Sequence, residues 1–178
     1  IYQEINDIPA AKNSFEMAIK LNKNYHEAHY NLGLLKLLLG DFSSGWEKYE
    51  YRFSIKKNSR LHGQPIISRW EGEKLLNNEK LLIVGEQGLG DTLQYMRYIP
   101  FLRAEGIDIK FSTKEKLHSL IKASKIDQNP LTPEQVNVIS SGKWIPLLSL
   151  PRYLKVTNNN PIVSKPYIFT TNELESKW

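Results

Sequence analysis

Apolar positions recur along this chain with two different periods, and the change of period divides it. In residues 9–55 they return every three or four places, as one face of a helix requires. The spacing predicts helices over 9–21, 26–39 and 43–55, with Pro9 in a first helical turn and Gly40 just past a helix end. From residue 80 the pattern changes. Leu81, Leu82, Ile83 and Val84 form a short, continuous apolar run, the mark of a strand covered on both faces. Gly85, Gly88 and Gly90 follow in a loop able to bend sharply and bring bare backbone N–H groups to a ligand. Asp91 stands where a helix N-cap is expected, and Leu93, Met96, Arg97 and residues 99–102 continue at roughly helical spacing. The alternation repeats as a strand over 107–112, a helix over 114–123, a turn over 129–133 and a third strand over 136–139. Two right-handed β-α-β crossovers are the simplest path through these elements, hence an open, mostly parallel sheet. Residues 147–150 read as a buried loop or short helix at its carboxyl edge.

The helical part carries a second signal. Ala11, Phe15 and Ala18 are answered 34 residues later by Gly45, Tyr49 and Arg52, with Leu32, Gly33 and Gly40 between them. This period and its small-then-aromatic order resemble the tetratricopeptide repeat, in which small residues let helices approach and aromatics fill the gaps. Lys23, His29 and Arg52 depart from the pattern, and an ordinary helical hairpin is the plainer reading. About one and a half units are visible, so further repeats before Ile1, or packing on the next domain, are expected. His26 and His29 lack the H-E-x-x-H spacing and a third ligand, which favours structural or surface roles.

Residues 58–79 read as a connector. Gly63, Pro65, Gly72 and the Asn77-Asn78 pair oppose a long helix or a central strand, while Trp70 and Leu75 supply anchors. The expected organisation is helical repeats over 1–57, this connector, a Rossmann-like α/β domain over 80–166, and the start of a linker over 167–178. The chain has no cysteine, which excludes disulfides, thiol chemistry and a cysteine zinc site, and fits a cytoplasmic setting. The longest greasy patch, residues 32–39, is broken by Lys36 and too short to span a bilayer. The net charge is +5, and the excess lies with the glycine loop: residues 80–166 hold 12 Lys/Arg against 7 Asp/Glu. A phosphorylated ligand fits that balance; nucleic acid does not, for want of a basic run interleaved with aromatics.

Three readings of G-E-Q-G-L-G-D compete. A P-loop requires Gly-Lys-Ser/Thr, and Gly90 is followed by Asp91 and Thr92, so no lysine reaches terminal phosphates. A dinucleotide fingerprint requires G-x-G-x-x-G and an acidic residue after the second strand; the glycines here run G-x-x-G-x-G, and Ser112-Thr113-Lys114 stands there. The third reading is the amino-terminal half of a two-domain sugar transferase, where an acid beside the loop takes the acceptor's proton. Asp91 as helix cap and Asp91 as base both remain open on the residues alone, since N–H groups that cap a carboxylate also make it a weaker base.

R-W-E-G-E-K-L, then L-L-I-V-G-E-Q-G-L-G-D-T-L-Q-Y-M-R-Y-I-P-F-L, then P-L-L-S-L-P resemble the bacterial tetratricopeptide-repeat glycosyltransferases. Their catalytic part is similar to the heptosyltransferases, with a GT-B fold of two Rossmann-like domains. The resemblance implies an inverting, metal-independent transfer from a nucleotide-sugar donor to a protein or glycan hydroxyl, with no further cofactor. It implies Asp91, in the Gly-Asp pair, as general base, and Gln87, Gly88, Gly90, Gln94 and Arg97 as lining of the cleft. It also implies a second Rossmann-like domain after Trp178 that holds most of the donor, so that the present chain alone is expected to be inactive. The competing expectation is a binding module, whose repeats grip a protein partner while the α/β part is a non-catalytic scaffold.

Overall fold

Asp7 opens the first helix by accepting the Ala10 N–H on its Oδ1 at 3.1 Å, and Pro9 sits in the first turn, where a missing N–H costs nothing. The computed structural model describes residues 7–55, 60–163 and 165–176. They fall into two compact units, residues 7–55 with 154–161, and residues 60–153 with the described residues after 161.

The first unit contains α1 (Ile8–Leu21), α2 (His26–Leu38) and α3 (Phe42–Tyr49). Where the spacing predicts one helix to residue 55, α3 tightens into a 3-10 turn, Glu50–Ser54. Two glycines set the approach of α2 and α3. A Cβ on Gly33 would stand 2.9 Å from the Tyr49 backbone nitrogen, and one on Gly45 2.7 Å from the Leu37 side chain. Ala11, Ala28, Leu32, Leu35, Trp46 and Tyr49 form the buried interior. The indole of Trp46 donates to the Val156 carbonyl at 3.3 Å, which ties residues 154–161 to the helices. Arg52, fully buried, pairs with Glu50 at 2.7 Å and lies over the Tyr49 and Phe53 rings at 4.5 and 4.2 Å. His29 uses Nε2 on the Lys23 carbonyl and stacks on Tyr51 at 4.1 Å.

The second unit is an α/β arrangement around a three-stranded parallel sheet. Its elements are β1 (Leu81–Val84), α4 (Leu89–Tyr95), α5 (Tyr98–Ala104), β2 (Ile109–Ser112), α6 (His118–Ala123), α7 (Pro133–Val136), β3 (Lys143–Pro146), α8 (Leu150–Tyr153) and α9 (Asn172–Glu175). The strand order is β2-β1-β3, with Leu81 opposite Ile109 on one side and Lys143 on the other. All four residues of β1 are buried, as a central strand covered on both faces demands. Ile99, Leu102, Phe111, Ile121, Ile145 and Leu147 complete the core. Residues 60–79 belong with this sheet. The Trp70 N–H donates to the Trp144 carbonyl at 2.7 Å, and the Trp144 N–H to the Ser68 carbonyl at 3.1 Å, so the segment lines the outer edge of β3.

Three expectations need correction. The third strand is not residues 136–139 but Lys143–Pro146. Thr132-Pro133-Glu134-Gln135 is a helix start, with Pro133 in the first turn and Gln135 Oε1 accepting the Thr132 N–H at 2.9 Å, and this local capping overrides the strand preference of Val136. Val136 and Ile139 instead pack with Leu82 and Val84. The single helix expected through residue 102 is two, because Pro100 has no N–H for the Met96 carbonyl and its ring crowds that carbonyl. Finally, the N-cap of α4 is Gly88, and Asp91 lies three residues inside the helix. Among the described residues, no helix is long and apolar enough to cross a membrane.

Candidate functional site

The chain leaves β1 on one side for β2 and returns past it to β3, so the connections part company at the carboxyl ends of β1 and β3. In open α/β sheets this is where a crevice forms. The turn after β1 stands there. Its backbone is held on three sides: the Gly85 N–H donates to the Ser112 carbonyl at 2.7 Å, the Gln87 N–H to the Arg60 carbonyl at 2.9 Å, and the Gly88 N–H to Asp91 Oδ2 at 2.9 Å. These three groups therefore serve the fold rather than standing bare for an anion. Gln87 adopts φ 61°, a left-handed conformation that a non-glycine residue keeps only where its surroundings impose it.

Glu86 links the turn to the segment that follows β3. It is fully buried, and its Oε1 accepts the Leu148 N–H at 3.1 Å. The two motifs G-E-Q-G-L-G-D and P-L-L-S-L-P, whose bonded residues Glu86 and Leu148 are 62 apart in sequence, thus meet at the carboxyl end of the sheet.

Gln87, Gly88, Gly90 and Asp91 come together on this single turn. Asp91 is half-buried, and its carboxylate closes the first turn of α4 through Oδ2. Gln94 is exposed one helical turn further on, and its carbonyl accepts from Arg97 Nε at 2.7 Å. Arg97 is drawn away from the turn: Nη2 donates to the Tyr167 hydroxyl at 3.2 Å and the guanidinium lies 4.9 Å over that ring. The Tyr167 hydroxyl donates in turn to the Leu93 carbonyl at 2.7 Å. Sequence reasoning missed Glu86, His62 and Lys114. Glu86 stood in plain view within the motif; His62 lay in a segment read as a connector and gave no signal of its own.

Beside the turn opens a cleft of about 610 Å³, lined by Leu89, Lys114, Glu115, Lys116, Pro133 and Glu134. The Glu134 backbone N–H and then the Thr132 hydroxyl hold the Glu134 carboxyl below its usual range, so it stays charged near the two lysines. Gly90 points into open space, with nothing within 4 Å of where a Cβ would stand. Gly90→Ala is therefore expected to leave the fold intact or make it more stable by up to about 1 kcal/mol, because alanine favours the helix. Thermal melting checks this, and a rise in KM at unchanged stability would mark Gly90 as the floor over which a ligand passes.

No protein-family model matches the chain, and no solved structure matches it. Over 64 residues, 36% of the chain, it is 39% identical to Protein FlbA of Caulobacter vibrioides (strain ATCC 19089 / CIP 103742 / CB 15). The match spans 11% of that protein's length.

Proposed function

We propose that this chain is the acceptor-side half of an inverting, metal-independent glycosyltransferase, moving a sugar from a nucleotide-sugar donor to a hydroxyl of a protein or glycan. The observation that carries the reading is the position of Asp91. It stands on the first strand–helix turn of a parallel sheet, with Oδ2 on the Gly88 N–H and Oδ1 without a partner among the described residues. A carboxylate oxygen so placed can take the proton of an acceptor hydroxyl as the hydroxyl oxygen attacks the anomeric carbon. The bond from that carbon to the diphosphate breaks in the same step, and inversion follows from the single displacement. The junction of G-E-Q-G-L-G-D with P-L-L-S-L-P through Glu86 and Leu148 supports the same reading, since both motifs carry the family resemblance.

In this proposal the α/β unit is the first Rossmann-like half of a GT-B fold, a second domain holds most of the nucleotide, and α1–α3 are tetratricopeptide-like. A second reading makes the helical unit a protein-binding module, and Met17, Leu21, Leu38 and Leu39 favour it, because these large apolar side chains are 54–81% exposed. The two readings agree if the helices present a protein acceptor to the crevice.

The test is a panel of nucleotide sugars offered to the complete polypeptide with acceptor proteins, read as release of nucleoside diphosphate. Acceptor-dependent release that persists in EDTA is expected. Absence of turnover with every donor, or turnover abolished by EDTA and restored by a divalent cation, would count against the proposal.

A further inference from the structure

His62 lies beneath the glycine-rich turn and is 5% exposed. Its N–H donates to the Gly85 carbonyl at 2.7 Å, so residues 60–62 run beside the turn. Its ring fills the space between the turn and the loop that follows β2. Nε2 is 3.0 Å from the Gln87 carbonyl, which can only accept, so Nε2 carries the proton. Nδ1 then faces the Thr113 hydroxyl at 3.5 Å. A Cβ on Gly85 would stand 2.8 Å from Nδ1, so the ring can occupy this place because residue 85 is glycine. The same Gln87 carbonyl receives Lys114 Nζ at 3.4 Å.

We propose that His62 is the positioning residue of the turn: by donating from Nε2 to the Gln87 carbonyl it holds Gln87 in its left-handed conformation, and so fixes where Gly88 and Asp91 stand. The left-handed φ of Gln87 is costly by itself and needs an imposed contact. The ring supplies that contact from a second segment of chain, while Gly88 N–H and Asp91 Oδ2 transmit it to the carboxylate.

Protonation leaves the Nε2 donation to the Gln87 carbonyl in place but changes what surrounds the ring. A second proton on the ring would remove the acceptor at Nδ1 and place a cation beside the Lys114 ammonium, which shares the carbonyl. The hydrogen bond to the Gln87 carbonyl and, less strongly, Glu86 on the turn oppose that effect, while His118 donates to the Thr113 carbonyl at 3.1 Å. Burial is the largest influence and pushes the His62 imidazole below its ordinary value of 6.5. A group favoured as neutral in the fold contributes fully above pH 6.5, and that contribution is lost as pH falls through the lowered value.

The experiment follows the amide 1H–15N signals of Gly85, Gln87 and Gly88 in the complete polypeptide from about pH 8 down to about pH 5, where an imidazole titrates. The three signals are expected to move together with one midpoint below 6.5. His62→Gln, which keeps an N–H donor but cannot take a proton, is expected to abolish the midpoint and keep the fold. Signals that ignore pH, or that titrate equally in His62→Gln, overturn the proposal. An activity arm rests on the transferase reading: His62→Ala should lower kcat roughly 10- to 100-fold with little change in KM, the effect of a misplaced reacting group, and His62→Gln should restore most of it. Should no donor be turned over while the amides titrate as expected, the transferase reading fails and the role of His62 stands.

Discussion

In the complete polypeptide, Asp91→Asn is expected to lower kcat/KM for the proposed sugar transfer by roughly two to four orders of magnitude at unchanged thermal stability, the span associated with a general base. The two halves of that result separate the roles of the side chain. As a cap, Asp91 accepts the Gly88 N–H through Oδ2, and an asparagine amide oxygen at the same place accepts it as well. As a base, the carboxylate must bind a proton in the transition state, which an amide does not do at neutral pH. KM should stay nearly constant, because the lost interaction belongs to the transition state. Asp91→Ala is the contrasting variant: it loses the base and the cap together and should also give up about 1 kcal/mol of stability. Kinetics beside thermal melting of both variants provide the check. Asn-variant turnover within about threefold of wild type would remove Asp91 from the chemistry and leave it a cap, since loss of a true base is at least a hundredfold effect.

Gly142→Ala is expected to be the most damaging single-methyl addition in the α/β unit. Residue 142 has φ 97°, and a Cβ there would stand 2.4 Å from the Lys80 carbonyl oxygen. That oxygen is already engaged, accepting the Lys143 N–H at 3.0 Å where β3 joins β1. The methyl group would force the strands apart at the first rung of the sheet, and no flexible side chain is present to yield. Backbone strain and overpacking together come to about 2–4 kcal/mol. For a protein of this size that is a fall in Tm of roughly 5–12 °C in the transition of the α/β unit, measurable by calorimetry. A fall of less than about 2 °C would show that the β1–β3 junction tolerates separation.

These two positions also show what the sequence could reveal. β1 was legible because four apolar residues in a row, bounded by Lys80 and Gly85, have few uses other than a central strand. α1 and α2 were legible from their periodicity, with Pro9 and Gly40 as punctuation. β3 was not, because K-W-I-P is short, opens on a lysine and closes on a proline, and its identity comes from its neighbours: Lys80 and Leu81 on one side and Ser68 to Trp70 on the other. Val136 and Ile139 drew the strand assignment instead, being β-branched and apolar, although Thr132-Pro133 had already announced a helix. At the site, the glycine spacing placed the turn correctly in the chain. It did not reveal that Gly85, Gln87 and Gly88 give their N–H groups to the protein itself. Nor did it reveal His62, since a ring that acts 25 residues away in sequence leaves no local pattern.

The proposed transfer is a single displacement in which Asp91 accepts the acceptor's proton. The most direct measurement is the anomeric configuration of the newly formed glycosidic bond, read by NMR on the first product from a donor of known configuration. Inversion relative to the donor is the predicted result. Retention would require a different reaction path, one in which the Asp91 carboxylate is not the base opposite the leaving diphosphate, and would rule out the single displacement.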